Sequence, residues 1–351
     1  MTVGLVMIVK DEAKILPRLA DSVRDHIDYW TVVDTGSSDG TLEVLDRIFT
    51  PVEGQVLHRD FDGFGPSRTF ALRAAEAHTD WMLVLDADDI FHGTIESDYL
   101  DTISADVIEC EIRTTSMSWF LPKLLRSNRG WESRGRAHEY YASPIASAPL
   151  RTRAFWIEHT AAGSGRVNKF ERDVALLLAD WNEDSTNERT AFYIARSFDD
   201  KGDKAQAIEW YRRRIQLPGW VEEAFYSRYR LGTCLIDMGA AVEGCGHLWL
   251  AWNMQPHRAE PLTALAEYYR LNQQWQLAFL AAATARVHHQ FKGSLFEDTS
   301  MDWRIDYELS IAAWYVDEKS MGREAHARIY QRIDIPEPFQ SSVYAHQEFY
   351  Q

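Results

Sequence analysis

The sequence predicts an α/β domain with a mostly parallel sheet, followed by a second domain of repeated helical hairpins. Two observations predict the first domain: apolar runs alternate with amphipathic stretches over residues 1–90, and acidic residues follow three of these runs. The second domain is predicted by a spacing of small residues that recurs in the C-terminal half. A chain of 351 residues is long enough for two such domains, each with its own core.

The N-terminal elements alternate between strands and helices. The apolar run at 3–9 has the length of a buried strand, and the next segment places Leu16, Leu19, Val23 and Ile27 on one helical face. The same periodicities predict further strands at 29–33, 55–58 and 81–85, and further helices at 41–49 and 66–78. This βαβαβαβ order implies right-handed crossovers and a parallel sheet.

The region from residue 106 to about 159 consists of short β-rich pieces with basic residues between them. These pieces predict a mixed continuation of the sheet. Gly163-Ser164-Gly165 is the strongest linker signal in the chain, and nearly everything after it has a helical period and composition. We therefore expect a first domain at 1–165 and a second at 166–351.

A repeat of small residues marks the helical half. A small residue is followed twelve positions later by another in four places: Ala195 and Ala207, Gly232 and Gly244, Ala266 and Ala278, and Ala313 and Ala325. Successive starts lie 37, 34 and 47 residues apart, close to the 34-residue tetratricopeptide period with one insertion. Small residues at these positions allow the two helices of a hairpin to approach closely. An unrelated helical bundle is the alternative interpretation.

The composition argues against several classes of protein. With 37 Lys and Arg against 53 Asp and Glu, the net charge is −16, which disfavours nonspecific binding to nucleic acid and suits divalent cations. The three cysteines form no zinc-binding pattern, and their odd number favours a reducing compartment. No run of about 18 apolar residues occurs, and the N-terminal apolar run is too short for a signal peptide. We therefore expect a cytoplasmic protein that does not enter a membrane.

The acidic residues follow predicted strands at the edge where open parallel sheets bind ligands. The turn Asp86-Ala87-Asp88 offers two carboxylates spaced for a hard divalent cation that also binds a diphosphate. Such a triplet alone is often part of a solvated loop. The prediction of a metal site therefore depends on its location directly after a buried strand. Residues 63–68 lack the third glycine of a dinucleotide fingerprint, and no Walker-type lysine loop occurs.

Two other polar segments follow the first and second strands. These are Lys10-Asp11-Glu12 and residues 34–41. Within the second segment, Asp34 stands at the strand end, where a carboxylate can accept a hydrogen bond from a base or a ribose. Residues 37–39 are also well suited to cap the next helix. The nucleotide-binding interpretation and the capping interpretation are compatible, and we favour a binding role for Asp34.

Together these segments resemble a family 2 glycosyltransferase of the GT-A fold. The resemblance rests on residues 9–12, on 33–41 and on 81–89 with its Asp-Ala-Asp, and residues 126–139 and 158–159 extend it. It covers about residues 1–165. The helical remainder is similar to the tetratricopeptide-like tails that some members of this family carry.

The resemblance implies a nucleotide-sugar site at the sheet edge. The residues that match the family's nucleotide-sugar contacts are Lys10, Asp11, Glu12, Asp34, Gly36, Ser37, Asp39, Arg68, Asp86 and Ala87. Lys10 to Glu12 would lie beside the base, and Arg68 matches the arginine that opens the third helix. Asp11 and Thr69 stand where relatives often carry Asn.

The resemblance also implies a metal site and an acceptor side. Asp86 and Asp88 match the metal-binding Asp-x-Asp of the family, with Asp88 as the direct ligand of Mn²⁺ or Mg²⁺. His159 matches a histidine that completes the metal shell or contacts the diphosphate, although the usual His-x-Gly spacing is stretched here. Arg136 and His138 match the acceptor side. Asp89 stands where relatives often carry Glu.

These residues predict a metal-dependent, inverting transfer of a sugar from a nucleoside diphosphate donor, UDP-linked by resemblance, to a hydroxyl. The cation would stabilise the leaving diphosphate as a Lewis acid, with help from Arg68 and Lys169. Glu139 is the first candidate for the general base that deprotonates the acceptor, and Asp89 is the second. A salt bridge from Glu139 to Arg134 or Arg136 is the structural alternative.

The acceptor is predicted from the helical half. Stacked helical hairpins form extended concave surfaces suited to peptides, so a protein side chain is the leading acceptor. A polysaccharide or a modified nucleobase is the alternative acceptor. A noncatalytic repeat scaffold, and a nucleotidyltransferase or sugar-nucleotide phosphatase, are alternative functions. The sequence is also compatible with a homodimer formed through the helical half.

Overall fold

The computed structural model describes residues 1–115, 117–160 and 169–350. The chain divides into two compact units, Met1–Ser185 and Thr186–Gln351. The linker signal Gly163-Ser164-Gly165, and with it the boundary predicted near residue 165, lies outside the described residues. Across the three described segments, no helix combines the length and the hydropathy that a membrane span requires.

The first unit begins with alternating strands and helices, as predicted. They are β1 (Val3–Val9), α1 (Leu16–Val23), a 3-10 turn (Arg24–His26), β2 (Tyr29–Asp34), α2 (Thr41–Ile48), β3 (Glu53–His58), α3 (Phe64–Ala75) and β4 (Trp81–Val84). Pro66 lies inside the first turn of α3, where its missing N–H costs no hydrogen bond, so the helix begins two residues earlier than predicted.

The rest of this unit is richer in strands. It contains β5 (Asp89–Gly93), α4 (Ser97–Thr102), β6 (Val107–Arg113), β7 (Met117–Arg126), β8 (Glu132–Arg134), β9 (Tyr140–Ala142), β10 (Leu150–His159) and α5 (Lys169–Glu183). The sequence patterns do not predict β5 or α4, which are short elements within a stretch of mixed composition. Strands β8 and β9 pair with each other as a separate antiparallel hairpin.

The main sheet has the strand order β3-β2-β1-β4-β7-β6-β10-β5. The first four strands are parallel. Strand β7 runs antiparallel to β4 and β6, whereas β10 is parallel to β6 and antiparallel to β5. The predicted α/β class with a mixed continuation is therefore confirmed.

Strand β4 is covered on both faces, because its side chains alternate between two cores. Trp81 and Leu83 pack in the core that includes α1, while Met82 and Val84 pack in a second core that includes Leu72 of α3. All four side chains are buried. This double coverage is typical of a central strand in a doubly wound sheet and explains its continuous apolar run.

The carboxyl ends of β1, β2 and β3 are level with each other, and β4 ends opposite Val6 of β1. Asp34, the last residue of β2, pairs with Val9 at the end of β1 and with His58 at the end of β3. The N–H of Leu85 donates to the carbonyl of Val6 in β1 at 3.3 Å. The three polar segments that follow β1, β2 and β4 therefore leave the sheet at the same edge.

Helix α5 belongs to the first unit because an ion-pair cluster ties it to the segment before β9. The guanidinium of Arg136 bonds the carboxylate of Asp180 at 2.6 Å and that of Glu183 at 2.8 Å. The backbone N–H of Arg136 also donates to Asp180 at 3.0 Å. The division between the units consequently falls after α5, later in the chain than the predicted boundary.

The second unit is helical. Its elements are α6 (Glu188–Asp200), α7 (Lys204–Arg214), α8 (Val221–Asp237), α9 (Ala241–Met254), α10 (Glu260–Leu271), α11 (Trp275–His288), a short strand β11 (Glu297–Asp298), α12 (Met301–Tyr315), α13 (Lys319–Tyr330), α14 (Phe339–Ala345) and α15 (Gln347–Tyr350). Each of the four small-residue pairs lies across one hairpin: α6 with α7, α8 with α9, α10 with α11, and α12 with α13. All eight small residues are buried.

Helices α8 and α9 approach each other closely where their small residues meet. A Cβ added at Gly232 would lie 2.9 Å from the carbonyl oxygen of Gly244, and one added at Gly244 would lie 2.6 Å from that of Gly232. Both distances are shorter than a carbon and an oxygen tolerate, so glycine is required at this crossing. The predicted hairpin repeat is confirmed by this packing.

Candidate active site

The acidic turn after β4 is closed by its own backbone. The N–H of Asp89 donates to the carbonyl of Asp86 at 3.0 Å, and the N–H of Asp86 donates to the carboxylate of Asp89 at the same distance. The carbonyl of Asp88 accepts from the hydroxyl of Thr160 at 2.8 Å. The turn is therefore fixed to the residue that follows β10, which brings His159 beside it.

Asp89 is the buried centre of this arrangement. Its side chain is 2% exposed, and both carboxylate oxygens accept hydrogen bonds from other elements. Oδ2 accepts from the ammonium of Lys123 at 3.0 Å, and Oδ1 lies 2.9 Å from Nδ1 of His159. Burial acts to raise the pKa of Asp89, but the charge of Lys123 and the bond to His159 lower it below its usual value. Asp89 is therefore an ionised acceptor.

His159 consequently donates from Nδ1, which leaves Nε2 as the nitrogen able to bind a cation. Its bond to Asp89 raises the pKa of His159 above the usual value, against an opposing effect of burial. Nδ1 of His159 also lies 3.8 Å from the carboxylate of Asp88. Ligand atoms of Asp88, Asp89 and His159 all lie within 4.8 Å of one another.

Arg68 joins the acidic turn to the predicted general base. Its Nη2 donates to Asp86 at 2.8 Å and its Nε donates to Glu139 at 2.7 Å. The arginine is 7% exposed and Glu139 is 14% exposed, whereas Asp86 is 42% exposed. Burial alone would raise the pKa of Asp86, but Arg68 and then Lys123 hold it well below its usual value.

This pairing corrects the expected salt bridge of Glu139. Its partner is Arg68, on α3, and neither of the arginines close to it in sequence. Arg134 pairs with Glu132 at 3.2 Å, and Arg136 is engaged by α5. Nearness in sequence misleads here because β8 and the turn after it direct Arg134 and Arg136 away from the sheet edge.

The site gathers carboxylates around two cations and one imidazole. Among the residues that the structure describes, Asp86 and Glu139 bond Arg68, Asp89 bonds Lys123, and Asp88 lies 3.8 Å from Nδ1 of His159. This oxygen-rich donor set with one imidazole suits Mn²⁺ or Mg²⁺. The residues present therefore fit such an ion.

The segments after β1 and β2 bind each other through their backbones. The N–H of Asp11 donates to the hydroxyl of Ser37 at 2.9 Å, and the carboxylate of Asp11 accepts from the N–H of Ser38 at 2.6 Å. Asp34 is buried, and its carboxylate accepts from the N–H groups of Gly36 and Ser37 at 3.1 and 3.2 Å. These bonds shape the loop pair, and direct contact of its side chains with a nucleotide stays a prediction.

Asp39 lies just before Gly40, the N-cap residue of α2, and binds the first residue of the helix. Its carboxylate accepts from the N–H and the hydroxyl of Thr41, at 3.1 and 2.5 Å, and from the N–H of Ala13 at 3.2 Å. The bond from the Thr41 hydroxyl lowers the pKa of Asp39. The N–H of Glu12 donates to the same hydroxyl at 2.9 Å. Lys10 is exposed beside these residues.

The predicted acceptor-side residues are separated by the structure. Arg136 forms ion pairs with Asp180 and Glu183 on α5. His138 has a left-handed backbone with φ of 53° immediately before Glu139, and it is partly buried. Lys169, predicted to add positive charge, begins α5, but its side chain lies outside the described residues.

The sequence patterns missed two residues of the site. Lys123 interrupts the apolar run of β7, and a lone lysine in such a run is the signal that could have identified it. Tyr141 lies in the same environment, where burial raises its pKa to about 12, so it stays a neutral phenol at physiological pH. Neither residue belongs to a recognised motif, since each enters the site through strand pairing.

Comparison with known proteins places the first unit in a family. The family described as "Glycosyl transferase family 2" matches residues 5–158. A TPR repeat-containing protein of Synechococcus elongatus is 47% identical over 88 residues, which are 25% of this chain and 20% of that relative. The chain therefore spans about a fifth of the length of the curated relative that it matches.

Solved structures of helical-repeat proteins are also similar to part of this chain. The crystal structure of MamA aligns with 52% of this chain and 91% of its own, at 14% identity and a TM-score of 0.37. That of YrrB, described as a TPR protein with an unusual peptide-binding site, aligns with 52% of this chain and 84% of its own, at 13% identity and a TM-score of 0.39. The family match and the hairpin packing show that residues 5–158 form a family 2 glycosyltransferase domain and that a TPR-like helical domain follows it.

Proposed function

We propose that this protein is a metal-dependent, inverting glycosyltransferase that moves a sugar from a UDP-linked donor to a protein side chain. The single observation that carries the proposal is the acidic turn beside His159 at the carboxyl edge of a family 2 domain, where ligand atoms of Asp88, Asp89 and His159 lie within 4.8 Å of one another. A dication held by such donors would give the diphosphate of a sugar nucleotide a cationic partner. The choice of uridine rests on the family resemblance.

The proposed metal ligands are Asp86, Asp88 and His159. When bound, Mn²⁺ or Mg²⁺ would stabilise the charge that the leaving diphosphate gains as the glycosidic bond breaks. His159 presents Nε2 because Asp89 holds its other nitrogen. Arg68 is proposed to add positive charge on the diphosphate side, since its guanidinium already lies 2.8 Å from Asp86. The loops at 10–12 and 34–41 are proposed to hold the nucleoside.

Glu139 is proposed as the general base. Its carboxylate is partly exposed and is held by Arg68 at a fixed place relative to Asp86, as inversion by a base on the face opposite the leaving group requires. Asp89, the second candidate, is 2% exposed and both its oxygens accept hydrogen bonds. We therefore assign Asp89 a positioning role.

The helical domain supports the proposal of a protein acceptor, because stacked hairpins form extended surfaces that fit peptides. A polysaccharide or a nucleobase would need no such domain. The three cysteines are free thiols, which supports the proposed cytoplasmic location. A homodimer through the helical half is a further expectation that size-exclusion chromatography with light scattering can test.

The first test is release of nucleoside diphosphate from a panel of nucleotide sugars in the presence of Mn²⁺. The wild-type protein should release UDP by slow donor hydrolysis, and Asp88→Asn should lower the rate by at least about 10²-fold. Asp101→Asn is the matched control, because this aspartate is exposed and lies on α4. Release of monophosphate or pyrophosphate would indicate a different reaction class, and no release with any donor would favour a binding scaffold.

A further inference from the structure

Lys123 is the least expected member of the site, because it comes from a strand that carries no part of the recognised motifs. It lies on β7, whose neighbouring residue Leu124 pairs with Leu83 of β4 in antiparallel register. This pairing brings Lys123 level with the end of β4, where the acidic turn begins. Its side chain is 12% exposed. Burying a lysine costs free energy unless its ammonium is paired with a negative charge, so the partner of Lys123 has to be identified.

The partner of Lys123 is the one aspartate of the turn that is sealed from solvent. Its ammonium donates to Oδ2 of Asp89 at 3.0 Å, and that oxygen also accepts the N–H of Asp86. Oδ1 of Asp89 holds His159. Burial acts to lower the pKa of Lys123, but Asp89 and then Asp86 raise it, so the residue is a permanent cation.

We propose that Lys123 is a positioning residue that withholds Asp89 from the metal and, through Asp89, orients His159. The inference rests on the proposed metal dependence of the site. Ligand atoms of Asp88, Asp89 and His159 lie close enough together to bind one cation. With the ammonium in place, both oxygens of the buried Asp89 are occupied, so the carboxylates proposed as ligands are the more exposed ones of Asp86 and Asp88. Lys123 thus limits the affinity of the site for the cation. A moderate affinity is suitable because the ion must also bind the diphosphate and release it.

The test uses Mn²⁺ alone and needs neither donor nor acceptor. Mn²⁺ affinity of the full-length protein is measured at pH 8 by calorimetry and by the electron paramagnetic resonance signal of free Mn²⁺. Lys123→Met keeps most of the side-chain volume and removes the charge, and we expect it to bind Mn²⁺ at least about tenfold more tightly than wild type, because a nearby positive charge is lost. Lys123→Arg, which keeps the charge, should stay within about threefold of wild type.

Thermal melting supplies a second readout. Metal-free Lys123→Met should melt below wild type, because Asp89 loses its cation, and saturating Mn²⁺ should close most of that gap by taking the place of the ammonium. Lys123→Gln, which keeps a hydrogen-bond donor without the charge, is the second variant should the methionine protein fold poorly. It should also bind Mn²⁺ more tightly than wild type.

The direction in which the Mn²⁺ affinity changes tests the proposal. A lysine that only fills space predicts unchanged or weaker binding in both neutral variants, and that result would overturn the proposal. Binding by the neutral variants alone would support the role of Lys123 and contradict the metal dependence of the wild-type enzyme. Absence of binding in all proteins would overturn the role of Lys123. In that case, hydrolysis of the sugar nucleotide measured without metal would test the proposed transferase activity independently of Lys123.

Discussion

In the helical unit Asp199 and Glu308 each bond a guanidinium group on a neighbouring hairpin, whereas in the glycosyltransferase domain two carboxylates share one guanidinium group. Asp199 on α6 bonds Arg230 on α8 at 2.8 Å, and Glu308 on α12 bonds Arg270 on α10 at 2.7 Å. Such pairs join the first helices of successive hairpins. At the edge of the sheet, in contrast, Arg68 is shared between Asp86 and Glu139.

The difference separates a structural network from a functional one. A paired and sealed network is complete as the protein folds, so it contributes to stability and needs no ligand. A partly exposed network in which two carboxylates share one guanidinium can accept a further cation. The comparison predicts different consequences when a carboxylate is removed from each region.

The largest effect is expected for the general base. Glu139→Gln should lower the rate of nucleoside diphosphate release by about 10²- to 10⁴-fold, because the amide cannot accept a proton, while it still bonds Arg68. The rate is measured with the active donor and Mn²⁺. Glu132→Gln is the control, since Glu132 lies on β8 in the same unit and pairs with Arg134. Near-normal turnover of Glu139→Gln would assign this carboxylate a purely structural role.

The next effect concerns the helical network. Asp199 is 3% exposed and also accepts from Tyr211 at 3.1 Å and Lys204 at 3.1 Å, so Asp199→Asn removes the buried charge that Arg230 and Lys204 share. We expect a loss of about 3–5 kcal/mol in the free energy of unfolding, measured by urea denaturation at pH 7. The rate per folded molecule should not change.

The pH dependence of this loss has a definite sign. Burial acts to raise the pKa of Asp199, but its bond to Arg230 outweighs this and lowers the pKa. A carboxylate with a lowered pKa in the folded state adds stability above its unfolded pKa of about 3.9, and that stability is lost as pH falls through the folded pKa. The difference between wild type and Asp199→Asn should therefore be full at pH 7 and shrink below about pH 4. A constant difference across this range would contradict the assignment.

Removing a carboxylate from the acidic turn should affect folding less. In the metal-free protein, Asp88→Asn should change the free energy of unfolding by less than about 1 kcal/mol, because Asp88 lies beside other carboxylates as well as His159. Melting with and without Mn²⁺ measures the effect, and the variant should gain less from the ion than wild type. A loss as large as that of Asp199→Asn would break the comparison between the two networks.

The smallest effect is expected for an exposed ion pair. Glu183 on α5 is 67% exposed and bonds Arg136, which keeps its second partner Asp180 in any case. Glu183→Gln should leave the melting temperature within experimental error of wild type, since exposed pairs contribute little. A clear drop in the melting temperature would mean that this pair carries the attachment of α5 to the first unit.

The fold was largely predictable because its signals are local. Apolar runs of strand length, helical faces such as that of Leu16 and Leu19, and the twelve-residue spacing of small residues each lie within a short window. The strand-end rule then brought Asp34 and Asp86 to one edge without any knowledge of contacts. Short elements such as β5 and α4 carried too few residues to show a period.

The site was predictable in its residue types and not in its pairings. Glu139 was expected beside Arg134 or Arg136, which are close in sequence, and it bonds Arg68 from a different element. Lys123 was not expected at all. Such contacts depend on strand register and on the way α3 packs against the sheet, and no sequence window contains both partners.

The sequence by itself determined the order of strands and helices, the edge at which the acidic segments gather and the hairpin repeat, because periodicity and chain direction suffice for these. Only the tertiary structure decided which cation meets which carboxylate. That choice buries one aspartate of the turn, Asp89, between Lys123 and His159, and it pairs another, Asp86, with Arg68. The physical reason is that electrostatic interactions inside a protein depend on burial and on distances of a few ångströms, which are set when separate elements pack together.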